Sequence, residues 1–164
     1  MFRLTFTVDG ERQLHRSLNM IADSMDDFTD VFEKIAEDFR STQEKVFANS
    51  GAFEGLRAWT PLTPGYRTWK MKKVGSKPIL TFKGDLRKSL TTKSANHIEK
   101  ITKSTLEIGT RDKKAAWHHK GKGRLPVRKV IELSEQKNRR WVRIAHTEIF
   151  RAMSDAERTA FQSR

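Results

Sequence analysis

The residues through which this chain could do chemistry are few. Five histidines occur, His15, His97, His118, His119 and His146, and two of them are adjacent. Neighbouring residues diverge by about 100° on a helix and face opposite ways on a strand, so adjacency does not aim His118 and His119 at one metal. No carboxylate-rich spacing surrounds them, and a structural or interface role is expected for each. Lys120-Gly121-Lys122-Gly123-Arg124 could cradle a phosphate with backbone N–H groups and cations. No helix start follows directly, so the run reads better as a flexible basic loop. An acidic metal site of the kind a nuclease needs would have to draw on Asp85, Glu99, Glu107 and Asp112, the only acids in residues 57–129. HExxH, P-loop, GxGxxG and GxSxG patterns are all missing. The chain has no Cys, which excludes disulfides, thiolate catalysis and Cys-ligated zinc. No enzyme, metal or cofactor is expected. Trp59, Tyr66 and Trp69 stand among Arg67, Lys70, Lys72 and Lys73, a mixture that can stack on single-stranded nucleic acid or simply anchor a loop to a core. No helix-turn-helix, zinc-finger or RNP-type signature accompanies it.

The charge that surrounds these groups is divided along the chain. Of 164 residues, 33 are Lys or Arg and 20 are Asp or Glu, a net of +13. Residues 1–56 carry 6 cations and 11 acids, whereas residues 57–129 carry 20 cations and 4 acids. A basic block of this kind either faces a polyanion, releasing its counterions, or faces the acidic part of a neighbouring copy in a head-to-tail assembly. With 36% hydrophobic residues, some of the fold's stability is expected to come from partner subunits. No run reaches the ~20 apolar residues of a membrane span, and no signal-peptide pattern opens the sequence.

The elements that must position these residues form one domain, 1–164. Phe2, Leu4, Phe6 and Val8 alternate with polar residues, which predicts a strand over 1–9. Leu14, Leu18, Ile21, Met25, Phe28, Phe32, Ile35 and Phe39 recur at spacings of three and four, which predicts a long helix over 11–49. Its stripe suits either a neighbour's helix or its own sheet, and the bulky Phe residues favour the sheet. A stretch this long leaves room for a bend or break near Asp23–Asp27. Asn49-Ser50-Gly51 closes it. Residues 52–78 read as an extended basic loop, with Thr63-Pro64 able to start a short helix. Residues 79–133 read as a β-rich core. Ile98 and Ile101 pair with Leu106 and Ile108 across a Lys103-Ser104 turn, Val127 to Leu133 is a further strand, and a basic loop spans 111–125. Ser134 caps a C-terminal helix, and Ser154-Asp155-Ala156-Glu157 has the form of a capping box for a short last one. The fold class is α+β: an antiparallel β-sheet covered by a long N-terminal helix and a C-terminal helix, with long basic loops.

The run Trp59-Thr60-Pro61-Leu62-Thr63-Pro64-Gly65-Tyr66, then Lys70, resembles a signature of the phage virion morphogenesis (tail completion) proteins. So do Lys77-Pro78-Ile79-Leu80 with Gly84-Asp85-Leu86-Arg87-Lys88-Ser89-Leu90-Thr91, and then Ile108-Gly109-Thr110. Ala115-Ala116-Trp117-His118-His119-Lys120-Gly121 and Leu125-Pro126-Val127-Arg128 with Leu133-Ser134 complete the series in order, over about residues 50–135. There are departures. Lys83 stands where Thr is usual, Lys114 where Tyr is usual, Lys120 where Phe is usual, and Glu132 where Gly is usual.

The resemblance implies a structural virion protein that forms a ring, often hexameric, at the head–tail junction or head-proximal tail end. It would be made in the host cytoplasm and would reside in the virion neck. Its implied partners are copies of itself, other neck, connector and tail tube proteins, and packaged DNA through nonspecific electrostatics, with no membrane. We expect the assembly interface to be carried by Trp59, Pro61, Leu62, Tyr66, Trp69, Leu86, Arg87, His118, Gly121, Pro126 and Arg128. The cations Lys70, Lys72, Lys73, Lys77, Lys120, Lys122 and Arg124 are expected to face DNA or a neighbour. Lys70–Lys77 and Lys120–Arg124 are expected to be assembly loops, disordered in a monomer and ordered in the ring. A nonspecific nucleic-acid-binding module is the alternative reading.

Overall fold

Helix α1, Thr29–Ala48, forms because Val31, Ile35, Phe39, Val46 and Phe47 fall on one face and are buried there. It belongs to a computed structural model that describes residues 26–162. The strand expected at 1–9 and the first part of the expected long helix lie outside the described residues. The side chain of Asp27 accepts a hydrogen bond from the Thr29 N–H at 3.0 Å and so serves the first exposed donor of α1. At the other end the Gly51 N–H donates to the Val46 carbonyl at 2.8 Å. Gly51 has φ of +96°, and a Cβ there would lie 2.7 Å from the Trp59 ring, so both conformation and space require glycine.

Two features of α1 bear on its energetics. Gln43 is 1% exposed, and among the described residues neither its amide oxygen nor its amide nitrogen has a hydrogen-bond partner. Asp38 receives two hydrogen bonds from Arg140, at 2.8 and 3.0 Å, and one from the Trp141 Nε1–H at 2.8 Å. Arg140 also donates to Thr42 and pairs with Glu54.

Arg140 and Trp141 belong to the C-terminal helix, Glu135–Gln162. The Ser134 Oγ caps it by accepting from the Lys137 N–H at 3.1 Å, as the sequence predicts. No Pro or Gly interrupts it. The expected separate helix at Ser154 does not form, because the Ser154 Oγ donates back to the Phe150 carbonyl at 3.0 Å and the helix runs through. Pairing of Asp38 with Arg140 and of Asp30 with Arg151 makes this helix antiparallel to α1. Lys137 is 1% exposed, donating to the Glu132 carbonyl at 3.0 Å and lying 5.9 Å from the Phe39 ring centre.

Between these helices lie α2 (Pro64–Val74), α3 (Asp85–Thr91), a hairpin of β1 (His97–Ile101) and β2 (Leu106–Thr110), and α4 (Lys113–Lys120). With these, the C-terminal helix is α5. The hairpin is antiparallel, with Ile98 opposite Gly109 and Ile101 opposite Leu106. The chain is thus a mixed α+β fold with helices at both ends of the described residues. Helix α1 packs on α3, α5 and β1, and α3 packs on both strands.

Within the expected loop 52–78, helix α2 starts at Pro64 after Thr63, as the sequence allows, and runs to Val74. Two other expectations for the middle of the chain change. Helix α4 occupies the expected loop 111–125, with the Asp112 side chain capping it through the Lys114 N–H at 3.0 Å. Val127 to Leu133 is irregular, and β1 and β2 are the strands found among the described residues. The reason lies in separate commitments of its backbone. The Arg128 N–H donates to the His118 carbonyl, and the Lys129 carbonyl accepts from Trp59. Among the described residues no strand runs alongside to form a ladder. The core closes over Phe39, Phe47, Trp59, Leu86, Leu90 and Val130.

Candidate assembly interface

The segment after α1 is stiffened by Pro61 and Pro64, which hold its backbone extended until α2 begins. Trp59 anchors its start. Its ring meets Phe47 edge-on at 5.3 Å, and its Nε1–H donates to the Lys129 carbonyl at 2.8 Å. Arg128 anchors the next two residues, donating to the Thr60 carbonyl at 2.9 Å and the Pro61 carbonyl at 3.3 Å. Two stretches some seventy residues apart are thereby clamped side by side. Arg128 is 5% exposed, and burial depresses its pKa, an effect that nearby Tyr66 partly offsets.

Helix α2 then presents Tyr66 and Trp69, three residues apart and therefore on one face, with ring centres 5.3 Å apart. Trp69 stacks on Phe82 at 5.5 Å with the rings 6° from parallel. Lys70 is drawn inward. It is 4% exposed, and its ammonium donates to the Lys77 carbonyl at 3.0 Å and the Pro78 carbonyl at 2.6 Å. Burial lowers its pKa, and the Lys77 charge lowers it further. The expectation that Lys70 faces DNA or a neighbour is therefore corrected: this lysine is a tie between α2 and the turn at Pro78. That turn leaves Leu80 at φ of +62°, a strained conformation for a branched side chain.

These elements enclose an open cleft of about 1070 Å³. Pro61, Leu62, Tyr66 and Trp69 form one wall, Leu80, Phe82 and Leu86 another, and His118, Leu125 and Pro126 the third. Tyr66 is 45% exposed and Trp69 46%, unusually open for aromatics of this size. Lys83, Lys114 and Arg124 stand on the margin and are all exposed. Lys114 lies 3.6 Å from Asp85 and 3.8 Å from Asp112. Among the described residues Lys83 and Arg124 form no ion pair. His118 faces the cleft with its Nδ1 unpartnered among the described residues, and burial followed by the Arg128 charge lowers its pKa.

Ten of the residues named from sequence line this one cleft, among them Pro61, Tyr66, His118, Arg124 and Pro126. Others lie elsewhere. Trp59 is in the core beneath it, although the sequence reading places it at an interface. Arg87 is half-buried on α3. Gly121 ends α4 at φ of +66°, where a Cβ would lie 2.9 Å from Val127. Lys72 and Lys73 are exposed on the last turn of α2, with Lys77 beyond it. Lys120 and Lys122 are exposed at the end of α4, Lys122 lying 5.5 Å from the Trp117 ring centre. Phe82, Lys83, Lys114 and Leu125 were not singled out as site residues from sequence. For Lys83 and Lys114 a signal existed, since both depart from the pattern the chain otherwise resembles.

Among the described residues no group of three or more His, Asp or Glu is placed to hold a metal ion, and no helix is long and apolar enough to cross a membrane. In comparison with known proteins, residues 9–151 fit the phage virion morphogenesis family. No curated protein and no solved structure matches.

Proposed function

The chain belongs to the phage virion morphogenesis family, and from that premise we propose that it forms a ring at the head–tail junction or head-proximal tail end. Family membership gives it a structural role in making the phage virion. In this proposal the ring is hexameric and sits at the neck, with neck, connector and tail tube proteins as its other partners and packaged DNA approached through nonspecific electrostatics. In this reading it acts by fitting against neighbours, and no bond is made or broken.

The observation that supports the reading best is the cleft itself. Motif segments scattered over seventy residues meet at an open, aromatic-walled surface with a cationic margin. A soluble monomer gains nothing by exposing Tyr66 and Trp69, whereas a subunit that covers them on assembly recovers the lost burial. The division of charge supports head-to-tail association, because a heterologous interface closes into a ring when its rotation divides the circle.

Electron microscopy of intact particles with this protein labelled tests the reading, alongside light scattering of the purified protein. A closed ring at the neck is expected, and particles lacking the protein should yield heads and tails that fail to join. Its absence from finished particles, with a monomer at all concentrations, would overturn the proposal. Steeply salt-dependent DNA binding by that monomer would instead support a nonspecific nucleic-acid module.

A further inference from the structure

Helix α1 carries Glu33, Glu37 and Glu44, and all three are exposed. At 100° per residue they fall within about 40° of one another, a stripe about 16 Å long that is interrupted by Arg40, itself half-buried and paired with Glu99. Among the described residues none of the three has an ion-pair partner, although Asp30 and Asp38 of the same helix are paired within the subunit. The stripe lies in the acid-rich part of the sequence, and the cleft lies in the cation-rich part. The cleft lining holds mostly the opposite charge, with Lys83 and Arg124 unpaired and Lys114 held only by long contacts to Asp112 and to Asp85, the one acid in the lining. The two surfaces share no residue.

We propose that the cleft receives the α1 acidic stripe of a second copy of this chain, with Lys83, Lys114 and Arg124 meeting Glu33, Glu37 and Glu44. This rests on the ring reading and gives that ring its contact. The interface is heterologous, since each copy offers a cleft on one side and a stripe on the other. The apolar walls around Tyr66 and Trp69 are covered as the helix settles, which dries the ion pairs and strengthens them. Charge pairing also sets the direction of assembly, because stripe against stripe and cleft against cleft are both repulsive.

The test uses the full chain in two charge-reversed forms. One carries Lys83→Glu and Arg124→Glu, the other Glu33→Lys and Glu37→Lys. All four side chains are exposed, and circular dichroism with thermal melting checks that both forms stay folded. Each form alone presents like charges to itself and should assemble at least about tenfold more weakly than the parent, read by light scattering. An equimolar mixture should recover rings, with the two forms alternating. That recovery cannot arise from lost folding or from a change in net charge alone.

Parent-like assembly by either form alone, or a mixture no better than its components, would overturn the proposal while leaving a ring-forming parent intact. A parent that never assembles and is missing from particles would overturn the ring reading as well. If Phe150→Asp abolishes assembly while reversal of the stripe does not, α5 is the occupant and the stripe is not. If Lys83→Glu with Arg124→Glu removes binding of a labelled oligonucleotide and leaves the rings unchanged, the cleft belongs to nucleic acid.

Discussion

At the scale of single residues, Glu99 shows how this fold uses charge. Burial raises its pKa, but Lys93, His97 and Arg40 together outweigh burial and bring it to about 2, against an ordinary 4.5. The carboxylate lies 2.8 Å from the Lys93 ammonium and 3.1 Å from the His97 Nε2, and it pairs with Arg40 of α1. Because the folded-state value lies below the unfolded one, the stabilisation is complete above about pH 4.5 and lost as the pH falls towards 2. Urea midpoints measured across that window should fall steeply for the parent and much less for Glu99→Gln. Gly51 is a second such position. Gly51→Ala meets both a positive φ and the Trp59 ring, and a loss of about 1–3 kcal/mol is expected from urea denaturation. The same change at Gly55, which also has positive φ but has open space around it, should cost less.

At the scale of elements, α5 is fastened to α1 through one side chain more than any other. Arg140 engages Asp38, Thr42 and Glu54, so Arg140→Ala strands two carboxylates at a half-buried seam. A loss of about 2 kcal/mol is expected, below the ~3–5 kcal/mol of a fully buried pair because the guanidinium is 28% exposed. Hydrogen exchange should show α5 losing protection before the hairpin does.

How far such elements could be read from sequence depended on whether the deciding contact was local. The stripe of α1, the Ser134 cap and the hairpin over Ile98 to Ile108 are local patterns, and all three were legible. Val127 to Leu133 has a strand's composition, but its backbone groups are taken one by one by Trp59 and His118, partners that no local pattern reveals. The cleft was half legible. Its motif residues could be named, yet only the fold shows that Lys70 turns inward to the carbonyls of Lys77 and Pro78 while Lys83 and Lys114 turn outward. Ser154 misled because a serine followed by acids caps a helix only where the chain is not helical already.

At the scale of the whole molecule, division of charge makes the proposed association a matter of ionic strength. The screening length falls from about 10 Å at 0.1 M salt to about 3 Å at 1 M. Rings held by the proposed contacts should therefore come apart as sodium chloride rises over that range, and the melting temperature should fall with them because assembly no longer stabilises the folded subunit. Sedimentation velocity at both salts, with melting curves alongside, checks both halves of that expectation.

Gln43 points the same way from inside the molecule. An amide sealed in α1 without a partner is a standing debt in the lone subunit, so this sequence is not at the ceiling of heat resistance its backbone allows. Gln43→Leu should raise the melting temperature by a few degrees, about 1 kcal/mol. A breeder selecting for thermal endurance would meet this position early and would gain a hardier building block without touching any outer face.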